Sequence, residues 1–300
     1  MFSRILIPLD GSKTAEHVLP YARRLATVGH VAVDLLGVVE MSDIAGDIAS
    51  DETPYAEVLI REAVRNSTEY LESLARTFRN GRVHYRVEQG RPEDIIIAAA
   101  AADRGTLIAM ATHGRSGVSR WLLGSVTEKV LRGTVNPLLV VRAPGDAKTD
   151  GEAALSSVIV PLDGSNIAEA VLSRVAALAN ALELHVILLR VYALPLATYG
   201  GDDYYVPDYI ELRDQIREEA EGYLNSTASL LREQRVAHVS TVVIEGSAAD
   251  AIISLARKTP DNLVAMSPYG RSGLQRWVLG SVTEKVVRHC EDPVLIVSGA

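Results

Sequence analysis

The chain has almost no cysteine. Cys290 is the only one in 300 residues, so no disulfide can form within the chain, which fits a reducing compartment. Positive charge is in deficit. Lys and Arg total 30 against 38 Asp and Glu, a formal charge of −8. A general binder of nucleic acid or anionic membrane would carry a basic face, so neither partner is expected, although a local basic pocket is still allowed. No apolar run approaches the roughly 20 residues that span a bilayer. The opening "MFSRILIPLDGS" reaches Asp10 without an apolar signal core, so a soluble cytoplasmic protein is expected. With 12 Pro and 22 Gly, long disordered tracts are not expected either.

What the chain does have is apolar residues, at 48%, and a text written twice. "GRSGVSRWLLGSVTEKV" from Gly114 returns as "GRSGLQRWVLGSVTEKV" from Gly270. "ILIPLDGS" (5–12) returns as "VIVPLDGS" (158–165), an offset of 153 from Asp10 to Asp163. The apolar stripe Ala15, Val18, Leu19, Ala22, Leu25, Ala26 reappears as Ala168, Val171, Leu172, Val175, Leu178, Ala179, at the three- and four-residue steps of an amphipathic helix. From Gly90 and Gly246 onward the offset is 156, so the second copy has gained three residues before its third strand. Even the two tryptophans, Trp121 and Trp277, are equivalent. Copies this long are domains rather than solenoid repeats. The expected division is 1–143 and 156–300, joined by a polar linker over 144–155.

Within copy one, strand-like and helix-like runs alternate. "RILIPL" is a strand and 13–28 a helix; "VAVDLLGVV" (31–39) is a strand and 55–79 a long helix. "RVHYRVE" (82–88) is a strand and 92–103 a helix; "TLIAMA" (106–111) is a strand, "RWLLGSVTEKVLRG" contains a helix, and "PLLVVR" (137–142) is the fifth strand. Near-continuous apolar strands alternating with helices predict an α/β fold: two tandem copies of a five-stranded parallel sheet, doubly wound and covered on both faces.

In such sheets ligands sit beyond the carboxyl ends of the strands, where strand order reverses. Two repeated segments fall on that edge, the "PLDGS" turn and the glycine-rich stretch after strand four. Glycines let backbone N–H groups surround an anion without a β-carbon in the way. Ser125 and Ser281 each offer a hydroxyl beside the free N–H groups of a helical first turn, which makes a phosphate seat. Arg115 and Arg271 can add positive charge beside it.

This pattern resembles the universal stress protein family in its ATP-binding branch, whose signature is Gly, two residues, Gly, nine residues, Gly, then Ser or Thr. Nine residues separate Gly114 from Gly124-Ser125, and nine separate Gly270 from Gly280-Ser281. The first signature glycine is replaced by Ala111 in copy one and Ser267 in copy two. Ser267 is followed by Pro268, which has no N–H to offer, so copy two is expected to be the weaker site. The resemblance implies that Pro8, Leu9 and Asp10 line the nucleoside side and that the backbone of Val38 meets adenine. Met110, Ala111 and Gly114 would flank ribose and phosphates, and Gly124, Ser125 and Val126 would seat the phosphates. In copy two the same roles fall to Pro161, Leu162, Asp163, Val191, Met266, Ser267, Gly270, Gly280, Ser281 and Val282. ATP is the implied cofactor, with Mg held by its phosphates rather than by protein. An intramolecular pseudo-dimer, with a homodimer of chains beyond it, is implied as well.

Plainer readings stand beside these. Asp10 and Asp163 can make Asx-turns after a strand. His113 reads as a loop histidine, Trp121 and Trp277 as packing anchors, Cys290 as structural, and Glu128-Lys129 and Glu284-Lys285 as a solvated helix face. The acidic loops 41–54 and 194–207, the second rich in tyrosine, are either mobile surface or a lid or partner surface. There is no GxxxxGK[ST] loop, HExxH, paired-cysteine metal site or G-x-S-x-G elbow. No catalytic residue is therefore assigned. The expectation is a nucleotide-binding regulatory protein in which hydrolysis is slow or absent. The alternatives are a weak ATPase and a scaffold or chaperone-like protein with a vestigial pocket.

Overall fold

The computed structural model describes residues 1–40, 53–79, 82–112, 123–142, 149–194, 209–270 and 279–298. The chain divides into two units, with Met1–Ala154 and Pro293–Ser298 in unit 1, and Leu155–Leu274 and Leu279–Asp292 in unit 2.

Unit 1 begins with β1 (Arg4–Pro8), a 3-10 turn (Ala15–Val18) and α1 (Leu19–Gly29), followed by β2 (Ala32–Val39) and α2 (Thr53–Ala75). Then come β3 (Val83–Gln89), α3 (Pro92–Ala101), β4 (Thr106–Ala111), α4 (Ser125–Gly133) and β5 (Leu138–Val141). Its strand order is β3-β2-β1-β4-β5-β10, where β10 is Val294–Ile296. All pairs are parallel except β5 with β10, which run antiparallel with Leu139 opposite Leu295. Unit 2 repeats the scheme with β6 (Ser157–Pro161), α5 (Asn166–Glu169), α6 (Leu172–Leu182), β7 (His185–Tyr192) and α7 (Tyr209–Glu233). It continues through β8 (Val239–Glu245), α8 (Ala248–Lys258), β9 (Asn262–Met266) and α9 (Ser281–His289), in the strand order β9-β6-β7-β8.

Burial explains the run of the sequence. Every residue of β4 and β9 is buried, and Ile5, Leu6 and Ile7 of β1 are wholly so. Each such side chain contributes about 1.5–3 kcal/mol on leaving water. Strands covered on both faces need apolar residues at successive positions, not alternate ones. At the outer position, β3 keeps His84, Tyr85 and Arg86 exposed. Helix α3 starts at Pro92 with Glu93 and Asp94 in its first turn, where a missing N–H costs nothing and negative charge suits the dipole.

The order reverses between β1 and β4, since β2 follows β1 outward on one side while β4 lies on the other. The same reversal falls between β6 and β9. The carboxyl ends of β1, β2 and β4 therefore stand side by side, and so do those of β6, β7 and β9.

Candidate nucleotide-binding edge

At the end of β1, the Leu9 N–H donates to the Leu36 carbonyl at 2.9 Å and extends the ladder one residue past the strand. The chain then turns sharply at Gly11, whose φ of +82° suits glycine. Asp10 Oδ1 accepts from the Ser12 N–H at 3.0 Å and the Ser12 hydroxyl at 2.6 Å. Ser12 Oγ in turn accepts from the Ala15 N–H at 3.1 Å and starts the 3-10 turn. Unit 2 repeats each bond. Asp163 Oδ1 takes the Ser165 N–H at 3.0 Å and its hydroxyl at 2.6 Å, and Ser165 Oγ takes the Ala168 N–H at 3.2 Å. Both aspartates thus make Asx-turns, and the serines two residues on share in them.

The N-terminus of α4 hangs on the end of β4. The Gly124 N–H donates to the Thr112 carbonyl at 2.7 Å, and Thr127 Oγ1 donates to the Ala111 carbonyl at 3.0 Å. In unit 2 the Gly280 N–H donates to the Pro268 carbonyl at 2.9 Å, and Thr283 Oγ1 to the Ser267 carbonyl at 3.0 Å. The first bond inside each helix runs from Glu128 to Gly124 and from Glu284 to Gly280. The N–H groups of Ser125, Val126 and Thr127, and of Ser281, Val282 and Thr283, are thus open among the described residues. Ser125 and Ser281 are exposed, and neither caps its own helix.

The sequence-predicted residues divide into three groups. Pro8, Asp10, Val38, Gly124, Ser125 and Val126 reach the carboxyl edge with partial or full exposure, as do Pro161, Asp163, Val191, Gly270, Gly280, Ser281 and Val282. Leu9, Met110, Ala111, Leu162, Met266 and Ser267 lie at the same edge with buried side chains, so they offer backbone alone. Gly114, Arg115 and Arg271 lie outside the described residues, as do His113, Trp121 and Trp277 and most of the two acidic loops. Neither Ala111 nor Ser267 has positive φ, so the loss of the first signature glycine strains neither strand end. Gly280 also has an ordinary φ of −62°. Its need for glycine is one of space, since a β-carbon there would stand 3.1 Å from the Pro268 carbonyl oxygen.

Pro268 carries a revision. Its counterpart Thr112 donates its N–H to the Val141 carbonyl at 2.9 Å. The donor that proline removes is therefore one that ties β4 to β5 in unit 1, not one aimed outward at a ligand. The reason given for a weaker site in copy two does not hold.

Sequence reading missed the residues that brace this edge. Thr127 and Thr283 sit in the repeated "SVTEK", and a threonine two residues after each Gly-Ser was the available signal; the structure buries both. In unit 1, Glu16 accepts from Lys13 at 3.0 Å and from the Tyr70 hydroxyl at 3.2 Å. In unit 2, Asn166 replaces Lys13, and Arg190, which donates to the Leu162 carbonyl at 3.3 Å, stands where unit 1 has Gly37. Arg190 lies over the Tyr223 ring, 5.3 Å from its centre, and Tyr223 donates to Glu169 at 2.8 Å. Burial, followed by the Glu169 carboxylate, pushes the Tyr223 hydroxyl up, so it keeps its proton and remains a donor.

The helices that carry the open N–H groups are also pinned from behind. Lys129 meets Glu93 at 2.8 Å, and Lys285 meets Asp250 at 2.7 Å, across α3–α4 and α8–α9. Those lysines are not merely solvated. The Lys129 hydrogen bond holds the Glu93 carboxyl below its usual range, and the Lys285 bond does the same for Asp250. Among the described residues no three His, Cys, Asp or Glu side chains gather as a metal site, and no helix is long and apolar enough to cross a membrane.

Comparison with known proteins finds the same two repeats. A profile of the universal stress protein family matches residues 1–142 and again residues 155–298. A universal stress protein of Methanocaldococcus jannaschii is 28% identical over 144 residues, which is 48% of this chain and 84% of that protein. One from Thermus aquaticus is 31% identical over 143 residues, 47% of this chain and 100% of its own. In the crystal structure of a universal stress protein from Archaeoglobus fulgidus, the similarity covers 100% of both chains with a TM-score of 0.71 and 20% identity, a likeness of fold.

Proposed function

Since the chain belongs to the universal stress protein family, with one family repeat in each half, we propose that each unit binds an adenine nucleotide at the carboxyl edge of its sheet, ATP being the implied ligand. The observation that carries this reading is the repeated helix start. Each of α4 and α9 presents three open N–H groups and an exposed serine hydroxyl, pinned to the adjoining strand by a threonine and a glycine. A helix N-terminus attracts phosphate through its partial positive charge and its unfilled donors. Gly124, Ser125 and Val126 would hold the phosphates in unit 1, and Gly280, Ser281 and Val282 in unit 2. Pro8, Asp10 and Val38, with Pro161, Asp163 and Val191, would face the nucleoside.

The nucleotide acts here as a bound effector, turned over slowly or not at all. Asp10 and Asp163, the carboxylates nearest the chain reversal, are each committed by Oδ1 to a serine N–H and hydroxyl. A carboxylate so engaged serves to fix a turn. Mg would enter on the phosphates. The cytoplasmic location, the pseudo-dimer and the homodimer of chains belong to the same reading.

The test is calorimetric titration of the full chain with ATP, with mass spectrometry of any nucleotide that co-purifies. Gly124→Val and Gly280→Val should each abolish one binding event, and the double variant both. Unchanged stoichiometry and affinity in the double variant would reject the site. Steady ATP turnover in the presence of Mg²⁺ would favour the weak-ATPase alternative.

A further inference from the structure

Arg23 is a buried cation without a counterpart in the second repeat, where the equivalent position is Ala176. It is 7% exposed. Burying a guanidinium is costly unless its donors are filled. Two of them are filled from far along the chain, where Nη1 donates to the carbonyls of Thr149 at 2.6 Å and Gly151 at 3.1 Å. Nη2 donates to Thr77 Oγ1 at 2.9 Å, and the guanidinium lies over the Phe78 ring, 5.3 Å from its centre.

Further ties run beside it. Thr27 Oγ1 donates to Glu152 at 2.9 Å, Arg24 stands 3.8 Å from the same carboxylate, and the Ala153 N–H donates to the Pro20 carbonyl at 3.0 Å. The segment Thr149–Ala153, expected to be linker, thus runs along α1 in the same unit. With Arg23 and Phe78 it lines an open pocket of about 430 Å³ between α1 and the chain just past α2. The second repeat lacks the arginine, and its Asn180 donates instead to the Gln234 carbonyl at 2.9 Å. Ala176, Asn180, Leu230 and Leu231 stand where the first has Arg23, Thr27, Thr77 and Phe78. Among the described residues the arginine clamp belongs to the repeat that the linker follows.

We propose that Arg23 is a latch that makes residues 149–153 a fixed strap of unit 1 rather than a tether. The geometry makes it a positioning residue: it holds backbone carbonyls and, among the described residues, touches none of the nucleotide edge. Opening the latch gives up two carbonyl acceptors of one guanidinium nitrogen at once, so the strap is held closed by those two charge-assisted bonds together. The ties through Glu152 are outside the buried part and add to the grip without deciding it.

Hydrogen exchange of the full chain, read by mass spectrometry, tests this. In the wild type, the peptide covering 149–154 should exchange at least about tenfold more slowly than the same free peptide, as loss of even one charge-assisted bond would imply. Arg23→Met keeps an apolar stem against Phe78 while removing every donor. It should return that peptide to the free rate while the β1 and β4 peptides stay protected. Glu152→Ala should weaken protection only in part. Wild-type exchange at the free-peptide rate would overturn the proposal by itself, as would full protection in Arg23→Met. Exchange accelerated equally in β1 and β4 would mean that Arg23 supports the whole unit rather than the strap, and would also overturn it.

Discussion

Gly270 approaches Asp163 so closely that a β-carbon on the glycine would stand 2.7 Å from the carboxylate oxygen Oδ2. The other oxygen, Oδ1, is held by Ser165 through its N–H and its hydroxyl. The aspartate is thus pinned on one side and crowded on the other, and the signature glycine serves it by being small. Gly270→Ala should destabilise unit 2 by about 1–3 kcal/mol, the ordinary range for overpacking. Asp163→Ala should relieve much of that cost in the double variant, a coupling above about 0.5 kcal/mol. Urea unfolding of the four proteins measures it. Additive effects would mean that the carboxylate swings aside freely and that the Asx-turn does not hold it.

Thr127 and Thr283 supply the buried bonds that hang each helix on its strand, both at 3.0 Å. Replacing either by valine keeps the shape and leaves a buried carbonyl without its partner. The cost should be about 1–3 kcal/mol. ATP affinity should fall in that unit alone, because the open N–H groups are positioned through this bond. Calorimetry on Thr127→Val and Thr283→Val, beside thermal unfolding, separates the two effects. Intact affinity in both variants would show that the glycine N–H bonds suffice to place the helices.

Most of the fold was legible because the repeats state it twice. Strands buried on both faces announce themselves as apolar runs, and the two 153-offset helices carry the same stripe. The edge residues were legible for the same reason, since Gly124-Ser125 and Gly280-Ser281 keep their spacing. What was hidden depends on side chains that act across the sequence. Arg23 looks like a surface residue of an amphipathic helix until Thr149 and Gly151 arrive from 126 and 128 residues away. Pro268 looked like a lost ligand donor because sequence does not say where an N–H points, and the Thr112 N–H points into the sheet. The Arg190–Tyr223–Glu169 arrangement was hidden because each member is ordinary alone.

The tie between α3 and α4 should be sensitive to acid. Lys129 donates to Glu93 at 2.8 Å and Arg91 lies 3.0 Å from it, so the carboxyl sits below its ordinary value of 4.5. A depressed carboxyl contributes stability that is whole above its unfolded value and is lost as pH falls through the folded one. Glu93→Gln should therefore be less stable than wild type at neutral pH, with the difference shrinking as the pH drops below 4.5. Denaturant titrations across that range decide the matter. A difference that persists unchanged at low pH would assign the loss to packing rather than to charge.

The swap between Gly37 and Arg190 makes the most specific prediction. Gly37 is hemmed in, with an added β-carbon falling 2.5 Å from Ser67 Oγ and 3.3 Å from both Leu71 and Val87. In unit 2 the position opposite is Ala220 rather than Ser67, which removes the nearest obstacle and lets Arg190 pass toward Tyr223. The two repeats thus differ at both of these positions. Gly37→Ala alone should destabilise unit 1 by about 1–3 kcal/mol through overpacking. Adding Ser67→Ala should recover a large part, because the β-carbon then meets only the 3.3 Å neighbours, which can yield by a few tenths of an ångström. The rescue should be absent when Ser67→Ala is replaced by Ser67→Thr, which keeps the hydroxyl and adds a methyl. Thermal unfolding of the single and double variants reads this directly. If Gly37→Ala were as stable as wild type, the Ser67 hydroxyl would have to turn aside, or helix α2 move away from β2, at little cost, and the paired difference between the repeats would lose its steric explanation.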